Sequence, residues 1–369
     1  MGLLMKPAAR LMKPASRRRQ QGMALVIVLM LFAILAAVAT EVMFRQDRFR
    51  TRTENLLDWD KRYQYAMAVE VVAIQGLIDD LEDDNLNNAM VDDCSQEQWA
   101  VALPATPYED AILSASVQDL QGRFNLNWLV AGNGAGFTRN DQAKEMLQRL
   151  LEQTLPDPSK ASLLANEMAD WIDSNNIVDS VEGAEDAEYR SRRTPNMPVA
   201  HESELRALRD FTAADLFPDP ALWGLFSALP SDTTLNLNTA PKAVLAAVLG
   251  TDGAADAVIA LRQEEPISDV NAIMQQEPFN SMEAEQKQAI SERLGVASEY
   301  FQVMVDVEVS GNTSRLVTRV KRASSGGADG TQVFSRQVKP LLAPLEPACN
   351  PFYNVENDNN VLEGLPGAS

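Results

Sequence analysis

The chain is 369 residues long, sets 32 Lys and Arg against 52 Asp and Glu for a net charge of -20, and contains two cysteines and one histidine. That length has room for two or three domains with a sizeable core, and so acidic a surface argues against nucleic acid or anionic lipid as a partner and favours cations or basic protein surfaces. With His201 the only histidine, a Ser-His-Asp relay is built on that residue or not at all, and neither cysteine has metal-site spacing.

Residues 1–22 contain Lys6, Arg10, Lys13, Arg17, Arg18 and Arg19 and no acid. By the positive-inside rule this end stays in the cytoplasm and the remainder is exported. Met23 to Thr40 then run without a charge, and as a helix rising about 1.5 Å per residue they nearly fill a bilayer core. A secretory signal has a shorter apolar core followed by a small-residue cleavage site; here the glycine, Gly22, comes before a long core. On hydrophobicity alone, a plain single-pass anchor is the alternative. The glycine placement resembles the type III signal of type IV pilins and type II secretion pseudopilins. That resemblance implies prepilin peptidase cleavage between Gly22 and Met23, methylation of the new amine, and retention of residues 23–44 as a transmembrane helix in the inner membrane. The fifth mature residue is Ile27, where most of that family carry glutamate, and this narrows the resemblance to the K-type minor pseudopilins, which lack it.

From Arg45 to Leu81 the spacing predicts one long helix, with Tyr63, Met67, Val71, Ile74, Ile78 and Leu81 on its apolar face and the acids of Asp79 to Asp84 ending it. Glu41 and Arg45 are placed to pair along it. Strand signals occupy Ala111 to Asn127 around a turn at Gln121-Gly122, stop, and return at Tyr300. There Phe301, Val303, Val305, Val307 and Val309 alternate with Gln302, Met304, Asp306, Glu308 and Ser310, the pattern of a half-buried strand. Arg315 to Arg322 and Val333 to Val338 follow, joined by Gly311-Asn312 and by a turn over Gly326 to Gly330, to complete an antiparallel meander. The expected fold is α+β, a long transmembrane helix packed on an antiparallel sheet in the pilin manner. In an exported segment, one disulfide between Cys94 and Cys349 is the direct reading, with two buried thiols as the alternative.

The strands are split by residues 131–298, whose punctuation is helical: Asp157-Pro158, Thr239-Ala240-Pro241, Ser268 and Ser281 at helix starts, Gly250 and Gly295 at helix ends. These predict an inserted all-α domain between a pseudopilin segment at 45–130 and its completion at 299–369, an arrangement that the K-type resemblance also implies. Leu235 to Pro241, Ile259 to Arg262 and Ile267 to Met274 look like a helix-hairpin-helix or SAM-like unit, a module that elsewhere grips DNA backbones. Between Thr239 and Gly295, four basic residues (Lys242, Arg262, Lys287, Arg293) face nine acids. That balance opposes phosphate neutralisation and argues against nucleic acid as the partner.

From Glu167 to Glu188 the insert is strongly acidic, and no Lys or Arg lies between Lys160 and Arg190. Hard oxygen ligands on a glycine-containing loop suit Ca²⁺. The spacing is not that of an EF-hand, since Ala184 stands where the twelfth-place glutamate belongs, and a solvated acidic loop fits the spacing equally. The resemblance implies calcium in this domain, and the ligands expected from the acidic stretch are Asp173, Asn175, Asp179, Glu182, Glu185 and Asp186. It further implies a non-enzymatic subunit at the tip of the type II secretion pseudopilus, assembled with I- and J-type minor pseudopilins together with the H-type and major subunits. Two rivals are a membrane-anchored periplasmic hydrolase using the acids of 170–188 and a DNA-uptake protein using the hairpin unit.

Overall fold

The computed structural model describes residues 18–87, 90–133, 136–216, 222–323, 330–339 and Cys349. The leader cations up to Arg17 and the turn over 326–329 lie outside these residues. The chain divides into two units, Met1–Asp60 and Lys61–Ser369. Helix α1 (Arg18–Asn87) supplies all the described structure of the first unit. Its 18-residue apolar window has a mean hydropathy of 2.9, long and apolar enough to cross a membrane. Arg45 Nε donates to Glu41 Oε1 at 2.7 Å, the pairing that their four-residue spacing predicts.

The second unit is built on a five-stranded sheet in the order β1-β2-β9-β10-β11. Its strands are β1 (Leu103–Tyr108), β2 (Ala111–Asp119), β9 (Tyr300–Val309), β10 (Asn312–Arg322) and β11 (Thr331–Lys339), all antiparallel. Ser310 and Gly311 both take positive φ between β9 and β10, the tight turn that suits a twisted hairpin. The central strand β9 is buried on both faces, where alternation predicts one. Phe301, Val303, Val305, Val307 and Val309 share a core cluster with Ala66 and Leu77 of α1. On the opposite face Asp306 is paired with Arg315, Gln302 Nε2 donates to Gln118 Oε1, and Arg319 pairs with Glu202 from the split-in region.

The stripe of α1 against the sheet also differs from the predicted one. Ala66, Glu70, Leu77, Ile78 and Leu81 are buried, whereas Val71 is exposed. Glu70 is tolerated there because Arg336 reaches it with two nitrogens and Thr318 donates its hydroxyl. The helix runs six residues past Leu81, because part of the acidic end has a partner: Arg322 Nη1 donates to Asp80 Oδ2 at 2.7 Å and to the Leu77 carbonyl at 3.1 Å. Cys94 and Cys349 form a disulfide, and Cys349 adds to the edge of β2, exchanging backbone bonds with Val117 and Asp119.

Residues 120–299 leave β2 and return to β9 at one place, where Leu120 N donates to Tyr300 O at 3.0 Å. This moves the predicted boundary back from residue 131. Phe124, Leu126, Trp128 and Leu129 belong to the insert's core instead of completing a hairpin with β2. Nor is the insert all-α. Its helices are α2 (Asp141–Thr154), α3 (Ala161–Ile172), α4 (Ala213–Leu216), α5 (Lys242–Leu249), α6 (Asp252–Glu264), α7 (Val270–Met274) and α8 (Ala284–Ser291). Three two-stranded ladders tie them together: β3 (Phe124–Asn125) with β6 (Phe226–Ser227), β4 (Val130–Asn133) with β5 (Gly136–Arg139), and β7 (Leu235–Asn236) with β8 (Leu294–Gly295). Gly295 therefore sits in a strand, not at a helix end. Asp157 caps the turn before α3, Pro241 opens α5 and Gly250 closes it, as their types predict.

The join between sheet and insert is a buried polar junction. Asp119 accepts from Ser298 Oγ at 2.7 Å, from Gln121 N at 2.7 Å and from the Thr239 hydroxyl. Asn236 Nδ2 donates to the Asp92 carbonyl and to Ser298 Oγ, each at 2.9 Å. Gly122 is needed here: a Cβ would stand 2.8 Å from Thr239 Oγ1 and 2.9 Å from its carbonyl oxygen.

Candidate metal centre

The acidic loop acquires its shape from the end of α3. Asp170 and Asp173 are three residues apart and so share one face of that helix, and Asp173 is its C-cap. The chain then turns back. Ser174 N and Oγ both donate to the Phe137 carbonyl of β5 at 2.9 Å, while Asn175 N and Nδ2 donate to Asp173 Oδ1 at 3.1 and 2.9 Å. Asp179 is thereby returned to the helix end, where one oxygen each of Asp170, Asp173 and Asp179 lie within 4.8 Å of one another. Gly183 lets the loop close, since a Cβ there would fall 2.0 Å from Asp170 Oδ2.

Asp170 is 1% and Asp173 0% exposed. Both oxygens of Asp170, Oδ2 of Asp173 and Oε1 of the neighbouring Glu185 are buried without a hydrogen bond of normal geometry, although the backbone N–H groups of Asp179 and Ala184 face Asp170 and favour its charged form. Buried carboxylates left this way cost several kcal/mol each unless a cation or a proton meets them. Burial, reinforced by the charges of Asp179 and Asp173, pushes the Asp170 carboxyl up to about 6. Glu185 is pushed up to about 7, chiefly by burial, and Asp173 is also raised by burial. Three converging carboxylates, of which Asp170 and Asp173 are buried with unpartnered oxygens, fit a hard, oxygen-seeking divalent cation such as Ca²⁺.

The other predicted ligands are placed differently. Asn175 uses its side-chain oxygen to accept from Ile177 N at 2.6 Å. Glu182 accepts from Ser162 Oγ and Asn166 Nδ2. Asp186 accepts from Thr194 N and Oγ1, and Glu185 from Thr194 Oγ1 at 3.0 Å, with its Oε1 buried and unpaired. Asp170 is the member that the sequence reading omits from its ligand set. Its three-residue spacing from Asp173 at the end of an apolar helix is the signal that finds it.

The hairpin-like unit presents little positive charge outward. Arg262 is buried and donates to the carbonyls of Leu237 and Ala240 at 2.9 and 2.6 Å, Lys242 pairs with Asp256, and Arg293 lies over the Trp128 ring. These cations hold the loop from Leu235 to Pro241 and its surroundings together.

Two family models described as type II secretion system (T2SS), protein K, match residues 122–217 and 235–297. Type II secretion system protein K of Aeromonas hydrophila is 31% identical over 343 residues, covering 88% of this chain and 98% of the relative. The protein K of Pseudomonas aeruginosa is 30% identical over 319 residues, covering 84% and 91%. Among solved structures, a chain of the GspK-GspI-GspJ complex from the enterotoxigenic Escherichia coli type 2 secretion system shares the fold with a TM-score of 0.64 at 23% identity, over 78% of this chain and 99% of that one. Likeness over nearly the full length of these relatives, together with the apolar N-terminal helix and the antiparallel sheet, shows that the chain belongs to the type II secretion system protein K family of minor pseudopilins.

Proposed function

We propose that this protein caps the pseudopilus of a type II secretion system, is anchored in the inner membrane by residues 23–44 after cleavage between Gly22 and Met23, and helps initiate the assembly that exports folded proteins. The observation that carries this is the insert. Residues 120–299 form a body with its own core, attached where the chain leaves β2 and re-enters at β9. A body of that size on every subunit of a packed helical shaft would clash with its neighbours, so the subunit belongs at an end. Its partners are I- and J-type minor pseudopilins, as in the solved complex whose K chain shares this fold, with the H-type and major subunits beneath. The basic residues ahead of Met23 keep the N-terminus cytoplasmic and place the bulk of the chain in the periplasm. Immunogold labelling of overproduced pseudopili tests the placement: gold at one end is expected, and gold along the shaft would sink it.

The insert binds Ca²⁺ through Asp170, Asp173 and Asp179, with Glu185 positioned to join them. The cation neutralises carboxylates that otherwise repel one another and so fixes the loop from 174 to 185. At free calcium about 100 times the Kd the stabilisation is about 2.7 kcal/mol. A melting curve unmoved by chelator, or unmoved by Asp170→Asn with Asp173→Asn in the presence of calcium, would leave a solvated acidic loop as the better description.

A further inference from the structure

Resting on the calcium reading above, we propose that Arg139 is a built-in counter-cation of the acidic cluster that competes with calcium for Asp179 and so sets the affinity of the site. Arg139 closes β5, the strand whose Phe137 carbonyl fastens Ser174 and with it the start of the loop. Its Nη1 stands 2.8 Å from Asp179 Oδ2, and its Nε donates to Asp141 Oδ1 at 2.7 Å. The guanidinium is thus held between the cluster on one side and the first turn of α2 on the other.

Two consequences follow from charge alone. A divalent cation among Asp170, Asp173 and Asp179 would sit a few ångströms from a fixed positive charge, and that repulsion weakens binding. An oxygen of Asp179 engaged by the guanidinium is also withheld from a coordination sphere that needs oxygens at about 2.3–2.6 Å. Arg139 is not stranded when calcium takes Asp179, because Asp141 remains as its partner. Exchange of one cation for the other therefore needs no opening of the β4–β5 ladder, and the site is tuned to calcium concentrations higher than three unopposed carboxylates would require.

Calorimetric titration of calcium into the full-length protein in detergent tests this. R139M keeps the aliphatic stem and removes the charge; it is expected to bind about ten-fold or more tightly than the wild type, while R139K, which keeps the charge, stays near it. The calcium-induced rise in melting temperature should grow in R139M in parallel. If R139M does not fold by circular dichroism, R139Q, neutral but still a donor to Asp179, serves with the same expectation. Equal or weaker binding in the neutral variant, with binding present in the wild type, overturns the role of Arg139 and leaves the calcium site standing. Absence of binding in the wild type overturns both.

Discussion

Arg322 Nη2 donates to Asp92 Oδ1 at 2.6 Å with both side chains buried, and the same guanidinium reaches Asp80 on α1 through Nη1 and the Ser298 carbonyl at the insert's return. Its carbon lies 4.7 Å from the centre of the Phe301 ring. One arginine at the end of β10 therefore joins the long helix, the segment after it, and the edge of the insert. Arg322→Met would leave two carboxylates buried near one another without their cation. The expected loss is about 3–5 kcal/mol, read as a lowered midpoint in chemical denaturation. A loss under about 1 kcal/mol, the worth of an exposed pair, would show that water reaches these groups.

The same junction predicts a pH dependence. Burial pushes Asp92 up to about 7 against the pull of Arg322, and Asp84 up to about 6. Glu97 rises to about 9 through burial and then its contact with Asp80, and Asp119 is raised by burial. Carboxyls raised above their unfolded values bind more protons in the folded state, so stability falls as pH rises from about 4 toward each folded value and levels beyond it. Between pH 6 and pH 9 the urea midpoint should decrease, and Glu97→Gln should flatten the upper part of that decline. A midpoint that rises over this interval would contradict the arrangement.

Much of this architecture is written in local patterns, and the exceptions share one cause. The apolar helix, β9 with its alternating valines, and the caps at Asp157 and Pro241 are read from neighbours along the chain. Strand β1 is not, because Pro104 and Pro107 speak against a strand; both are accommodated in a strand exposed along its whole length at the sheet's edge. Glu70, Arg319 and Arg322 look like surface charges in sequence and are buried through partners 117 to 266 residues away. In the acidic loop, composition reveals the crowding of carboxylates, but which of them converge depends on how Ser174 is tied to β5, a contact across 37 residues.

Gly183→Ala is expected to damage the loop while sparing the rest. A methyl group 2.0 Å from Asp170 Oδ2 forces the loop away from the end of α3, and Asp179 moves with it. Of residues 174–188, Ala184 is the one that enters the insert's apolar core, so the core has a single small contact to lose. The variant should melt close to the wild type in chelator and lose most of the calcium-induced shift. A normal shift would mean that the loop closes without the close approach at Gly183.

The disulfide between Cys94 and Cys349 closes a loop of 255 residues. In the chain-entropy picture it contributes on the order of 5 kcal/mol, an upper value for so long a loop. It also delivers Cys349 to β2, where Cys349 N donates to Val117 O and Asp119 N donates to Cys349 O, each at 2.7 Å, next to the polar junction. Changing both cysteines to serine should lower the melting temperature by several degrees, and reductant should do the same to the wild type. Insensitivity to both would show that the backbone pairing holds the chain end unaided.

The last prediction concerns Ile27, in the apolar stretch of α1. In a helical assembly of this kind, a glutamate at the fifth mature position is tolerable where it meets the positive N-terminal amine of an adjoining subunit, because an unpaired charge in apolar surroundings is costly. A subunit with no neighbour above it has no amine to meet. An apolar side chain avoids that cost, and Ile27 suits a capping position. Ile27→Glu should therefore give no gain and should lower the yield of secreted protein when it replaces the wild-type copy, with the amount of membrane-inserted protein checked by fractionation. If secretion is undiminished and the variant appears at intervals along the shaft, the glutamate has found a partner amine, and this subunit is competent to occupy interior positions.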